Sequence, residues 1–270
     1  MSAFERACEL ESQLLRGDHI IGLLPGDSVD TLIELFESSD NPLAHEHLGH
    51  LYADGALVAQ DVERAIAHYS KAAEISDNSA LCRLRLAYFF APEQIDSFVE
   101  SDLERLLAAD PNGDAHLIAG YMSQKGVGLP LDLEAAHAYH TKSAEVGNAQ
   151  AMFELHILYV TGAGVEVDED MARHWCVKAA EAGSRRAMNN LGSAYATGTM
   201  GVARDPEEAV KWYEKAFEHG HAQAGAVLGV MYFTGDGVDF DEEKSNDYFD
   251  RAQAMGFDVD GFLKHLGFLD

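Results

Sequence analysis

One two-helix pattern returns along this chain every 36 or 37 residues, and a period of that size restricts the possible folds more than any other feature. It is clearest in 187–220. Ala187, Leu191 and Tyr195 lie four apart and share one helical face. Gly192 falls inside that helix at a cost of about 1 kcal/mol relative to alanine, so another helix is expected to approach closely there. The segment Thr197-Gly198-Thr199-Met200-Gly201 predicts a break. Asp205-Pro206-Glu207-Glu208 then predicts a second start: aspartate accepts from orphan N–H groups, proline suits the first helical position, and Glu208 completes a capping-box pair. Ala209, Trp212, Tyr213, Ala216 and Phe217 supply the buried face, and Gly220 ends the helix.

The capping aspartate recurs as Asp61, Asp132, Asp168, Asp205 and Asp241, with Lys71, Lys142, Lys178, Lys215 and Arg251 ten residues after each. The gap of 71 between the first two aspartates is two periods wide. A degenerate copy fills it: Ala80, Leu84 and Tyr88 follow Ala44, Leu48 and Tyr52 by 36 residues, with Ser97 for the aspartate, Leu107 for the base and Pro92 in the turn. Gly55, Gly126, Gly162, Gly198 and Gly235 make the other turns, where this copy has Ala91. The first helices carry a tyrosine column at 52, 88, 159, 195 and 232, with Ser123 in one copy, and the second helices an aromatic column of Tyr139, Trp175, Trp212 and Tyr248, with His68 in the first copy. One such hairpin cannot bury its own apolar face, whereas stacked copies can.

The recurring A-x-x-x-L-G-x-x-Y-x-x-G-x-G-V-x-x-D, followed by A-x-x-W-Y-x-K-A-A-E-x-G, resembles the Sel-1-like repeat, a relative of the tetratricopeptide repeat. The resemblance covers about four-fifths of the chain. The expected fold is all-α: a right-handed α/α superhelix, or solenoid, of about six helix-turn-helix repeats at 44–79, 80–114, 115–150, 151–186, 187–223 and 224–256. Residues 1–43 are expected to give N-terminal capping helices, Phe4–Leu15 and Asp27–Glu37, the latter capped by Asp27 or Ser28. Residues 257–270 should add a closing helix from about Asp260 to Leu266.

Forty-six Asp and Glu against 19 Lys and Arg give a net charge of −27. Nucleic-acid backbone and anionic membrane surfaces are disfavoured as partners, since both need a positive footprint. Two readings of the acidity stay open: solubility of helix faces, or reception of a basic partner. No stretch reaches the ~20 apolar residues of a membrane span, and the start lacks a basic segment followed by an apolar run, so no signal peptide is expected. Cys8, Cys82 and Cys176 are odd in number and occupy unmatched repeat positions. The cysteine pairs of some secreted relatives are therefore absent, and a reduced, cytoplasmic setting is expected.

His45, His47 and His50 come together, and His47 and His50 are spaced to share a helix face with Glu46 alongside, yet further ligands are not evident and no metal is expected. Gly126-Val127-Gly128, Gly162-Ala163-Gly164 and Gly235-Asp236-Gly237 lack the strand and lysine of a phosphate loop. The acids from Asp236 to Glu243 lack the spacing of a calcium loop. No nucleophile elbow or cofactor fingerprint appears, so neither catalysis nor a cofactor is expected. The resemblance implies that first helices line a concave wall, which makes Glu46, His50, Phe89, Phe90, Tyr121, Phe153, Asn189 and Phe233 the candidate partner-binding residues. The expected function is a non-catalytic adaptor or scaffold, monomeric or weakly homo-oligomeric, holding a protein or peptide in that groove. The alternatives are an immunity protein neutralising a cognate toxin, a role known in the family, and, as a different class, an enzyme.

Overall fold

The five capping aspartates set the helix starts. In the computed structural model, which describes residues 2–16, 29–41, 43–54 and 57–268, each accepts a hydrogen bond from the backbone N–H three residues on: Asp61 from Arg64, Asp132 from Ala135, Asp168 from Met171, Asp205 from Glu208 and Asp241 from Lys244, all at 2.9 to 3.1 Å. Their own N–H groups reach back across the turn to a carbonyl of the preceding helix, that of Tyr52, Ser123, Tyr159, Tyr195 or Tyr232. Each loop is thus tied at both ends by one residue. The same bond overturns the reciprocal half of the expected capping box. The Asp205 N–H is already donated to Tyr195 O at 2.7 Å, and the Glu208 carboxylate instead accepts from Lys211 Nζ at 2.9 Å.

The described residues are helical and contain no strand. They form α1 (Ala3–Arg16), α2 (Val29–Glu37), α3 (Ala44–Asp54), α4 (Val62–Ala72) and α5 (Asp77–Phe90). A 3₁₀ turn (Pro92–Gln94), α6 (Ile95–Phe98), a π turn (Val99–Leu103) and α7 (Glu104–Ala108) follow. Then come α8 (Asp114–Lys125), α9 (Leu133–Glu145), α10 (Ala149–Thr161), α11 (Glu169–Glu181), α12 (Arg185–Thr197), α13 (Pro206–Glu218), α14 (Ala222–Thr234), α15 (Glu242–Ala254) and α16 (Val259–His265). The closing helix begins at its cap, Asp258, and the expected Asp27 or Ser28 cap lies outside the described residues. Among the described residues no helix is long and apolar enough to cross a membrane.

The chain divides into two compact units, one of 1–110 with 125–131 and one of 111–124 with 132–270. In the first, Ala7 and Leu10 of α1 and Leu32 and Phe36 of α2 bury against Ala44, Leu48 and Leu51 of α3. In the second, α9 to α15 pack each on the next around a core that includes Leu155, Cys176, Leu191, Tyr213, Phe217 and Leu228. Tyr195 and Trp212 are half-buried against it. Fully burying one such large apolar side chain contributes ~1.5 to 3 kcal/mol, which no single hairpin could collect alone.

Close contacts between helices depend on small residues. A Cβ built at Gly192 would sit 2.8 Å from the Tyr213 ring, as would those at Gly49, Gly120 and Gly229 from Tyr69, His140 and Phe249, at 2.4 to 2.6 Å. In the copy where His156 replaces that glycine, the facing aromatic is replaced by Cys176, so the volume is exchanged across the contact. The turn glycines that mimic phosphate loops have a similar purpose. A Cβ at Gly164 would come 2.1 Å from Leu133 O, and one at Gly237 2.3 Å from Pro206 O, so each lies against the helix start of the preceding repeat.

Candidate functional site

The degenerate copy departs from this plan. Without a turn glycine, α5 ends on Ala91, which keeps a negative φ of −141°, and Pro92 at once starts the next helical segment. Ser97 therefore does not cap: it lies inside α6 and its hydroxyl donates to Gln94 O at 2.9 Å. The π turn that follows places Asp102 beside Arg83 in a buried ion pair, with the Arg83 guanidinium 4.4 Å from the centre of the Phe98 ring. Arg105 joins from the outside, contacting Asp77, Asp102 at 3.5 Å and Ala73 O at 3.2 Å.

This packing leaves the last turn of α5 facing outward. Phe89 is 58% and Phe90 61% exposed, and they border a cleft of about 300 Å³ whose other walls include His50, Asp54, Tyr69 and Arg85. Tyr88 and Phe89 meet edge to face, with ring centres 4.8 Å apart. His50 Nδ1 and the Tyr69 hydroxyl are 2.8 Å apart at the back of the cleft, and burial there pushes the Tyr69 hydroxyl well above the usual phenol range. Asp54 and Arg85, both exposed, form no ion pair among the described residues and bring one charge of each sign to the rim. Sequence reasoning passed over Arg85, although a signal was present: it occupies the column that holds Gly49, Gly120, Gly192 and Gly229 in other copies. Phe90 likewise stands where Thr161, Thr197 and Thr234 bond back to a carbonyl four residues earlier.

The other candidate residues have different surroundings. Glu46 lies in the same unit but is occupied: its carboxylate accepts from Ser79 Oγ at 2.6 Å, Asn78 Nδ2 at 3.0 Å and Ser76 Oγ. Burial opposes its charge, and those hydrogen bonds outweigh it to hold its pKa below the ordinary value. In the second unit, Tyr121 donates to Glu154 at 2.9 Å and accepts from Gln150 at 3.1 Å. Phe153 is buried beneath Arg186, whose guanidinium lies 4.4 Å from the ring centre, so it presents no free ring. Asn189 Oδ1 is buried with no hydrogen-bond partner among the described residues. Phe233 is 45% exposed.

The three clustered histidines diverge instead of sharing a face. His45 Nδ1 meets His68 Nδ1 at 3.1 Å, His47 Nδ1 meets Glu11 at 2.7 Å, and His50 points to Tyr69. Among the described residues no three His, Cys, Asp or Glu side chains are grouped as metal ligands.

Five segments, 42–77, 113–148, 149–184, 185–221 and 223–257, match the Sel1 repeat, while 78–112, with the departures just described, do not. The fold is similar to the crystal structure of a Sel1 repeat protein from Oxalobacter formigenes, at 24% identity over 96% of this chain and 75% of that one, with a TM-score of 0.70. It is also similar to c5321, a protective antigen of uropathogenic Escherichia coli strains with an SLR fold, at 24% identity and a TM-score of 0.61. That match covers 87% of this chain and about half (51%) of the antigen. No curated protein matches the sequence. With the repeat matched over more than half its length, the chain belongs to the Sel1 repeat family.

Proposed function

We propose that this chain is a non-catalytic adaptor that holds a protein or peptide segment against the α3–α5 cleft. Sel1 repeats generally mediate protein–protein interaction. The observation that carries the reading to this site is the pair Phe89 and Phe90, each more than half exposed at the mouth of a cleft. Exposed rings cost free energy in water, and aromatic residues beside a pocket are favoured anchors for a partner. The rim adds orientation. Asp54 suits a cationic side chain of the bound segment and Arg85 an anionic one, in addition to the attraction that a net charge of −27 exerts on a basic partner.

Site-specific photo-crosslinking tests this reading. A benzophenone side chain placed at Phe90 should form partner adducts in cells, whereas the same group at Val160, another exposed apolar position, should form few. Equal adduct yields at the two positions would count against the cleft.

A further inference from the structure

A second exposed aromatic patch lies on α14–α16, apart from the site just described. Phe233 stands 6.2 Å from Phe240 and 5.9 Å from Phe268, and all three are more than 40% exposed. Beside them opens an apolar cleft of about 260 Å³, walled by Val230, Phe249 and Leu263 together with Phe233 and Phe268. Asn246 is the polar side chain in its lining. We propose that this cleft is a second docking site, taking one bulky apolar side chain from a basic segment of a partner protein.

The charge around it selects that partner. Residues 222–268 contain nine acidic side chains and three basic ones. Two of the bases are engaged, Lys244 with the Tyr232 hydroxyl at 3.0 Å and Arg251 with Asp247 at 3.1 Å. Glu242 and Asp250 lie one helical turn either side of Asn246, so they flank the cleft on the same face of α15. Both are exposed and form no ion pair among the described residues. An apolar cleft in a segment where acids outnumber bases nine to three is complementary to an apolar side chain flanked by lysine or arginine.

A further hairpin or a second copy fits the same surface less well. In the preceding repeat, Val210 and Tyr213 occupy the positions of Asn246 and Phe249, and each is 5% exposed in the core. Asn246 thus puts an amide where a repeat-to-repeat contact has valine, at the cost of desolvating it. Two copies would also bring together surfaces of the same negative sign.

The test uses the intact chain and a fluorescein-labelled peptide of lysines and glutamines with one central phenylalanine, compared by anisotropy with the same peptide carrying serine at the centre. The phenylalanine peptide should bind about tenfold more tightly. That preference should disappear in Phe268→Ser and in Asn246→Trp, which fills the cleft from an exposed position, and should persist in the Phe89→Ala/Phe90→Ala variant. Glu242→Lys should weaken both peptides alike. Equal binding of the two peptides, or a preference that survives Phe268→Ser and Asn246→Trp, would overturn the proposal. So would sedimentation showing a dimer that Asn246→Trp disrupts. Since the decisive variants, Phe268→Ser and Asn246→Trp, leave Phe89 and Phe90 in place, failure here leaves the adaptor reading standing.

Discussion

The Tyr213 ring lies so close over Gly192 that a methyl group on that glycine would fall 2.8 Å from its Cδ1 atom. Helix propensity alone favours Gly192→Ala by about 1 kcal/mol. Overpacking of a buried ring costs about 1 to 3 kcal/mol and should win, because Tyr213 is 5% exposed and walled in by its neighbours. Denaturant unfolding should therefore show Gly192→Ala to be less stable. The His156–Cys176 exchange makes a sharper demand: the alanine should cost less when Tyr213 is also changed to Cys.

His140 occupies the same place opposite Gly120, fully buried, with neither ring nitrogen hydrogen-bonded among the described residues. Burial, reinforced by His137, pushes its pKa down to about 4, and burial with the nearby His45, Lys71 and Arg64 does the same to His68. A histidine in the unfolded chain takes up its proton near pH 6.5, whereas these wait until about 4. The unfolded state then binds more protons over that window, so stability is held above pH 6.5 and falls as pH drops toward 4. His140→Phe, matching Phe249 three repeats on in the same column, should stabilise by about 1 kcal/mol at neutral pH by removing unsatisfied buried nitrogens. Its advantage should widen at pH 5, as read by thermal unfolding across pH.

Each capping aspartate both starts a helix and ties down the turn before it. Asp168→Ala removes the bond to Met171 N while leaving the backbone bond to Tyr159 O in place. The loss should be about 1 kcal/mol. Asp168→Asn, which can still accept, should recover most of it in the same unfolding measurement.

These elements were legible in the sequence because each depends on local chemistry. An aspartate ahead of a helix, a glycine inside one and a fixed repeat length announce themselves without tertiary information. The degenerate copy was less so. Aligning Ser97 with the aspartates assumed a loop, and Ala91 cannot cheaply form the left-handed turn that Gly198 makes at φ 73°, so Pro92 starts the helix early. Offsets along a helix likewise placed Phe153 beside the groove columns, but whether a neighbouring arginine covers a ring is a tertiary fact, and Arg186 does. Phe89 and Phe90 stood out in the sequence; the charges that share their cleft, Asp54 and Arg85, emerge only when α3 and α5 come together.

The net charge of −27 makes a separate demand on binding. If the acidic field draws in the partner, capture should weaken markedly between about 50 and about 500 mM salt, as the screening length contracts below about 10 Å. Association rates should fall more than dissociation rates rise. Rates unchanged across that range would leave the acidity as a solubility feature.

The adaptor account turns on the two rings at the end of α5. Immobilised chain and its Phe89→Ala/Phe90→Ala variant should be compared for partner capture from the native cell, with helical circular dichroism recorded for both. The account predicts unchanged helicity and loss of most captured protein, by about tenfold or more, since truncating a pair of anchors typically removes over 1 kcal/mol each. Full capture by the variant at unchanged helicity would contradict it.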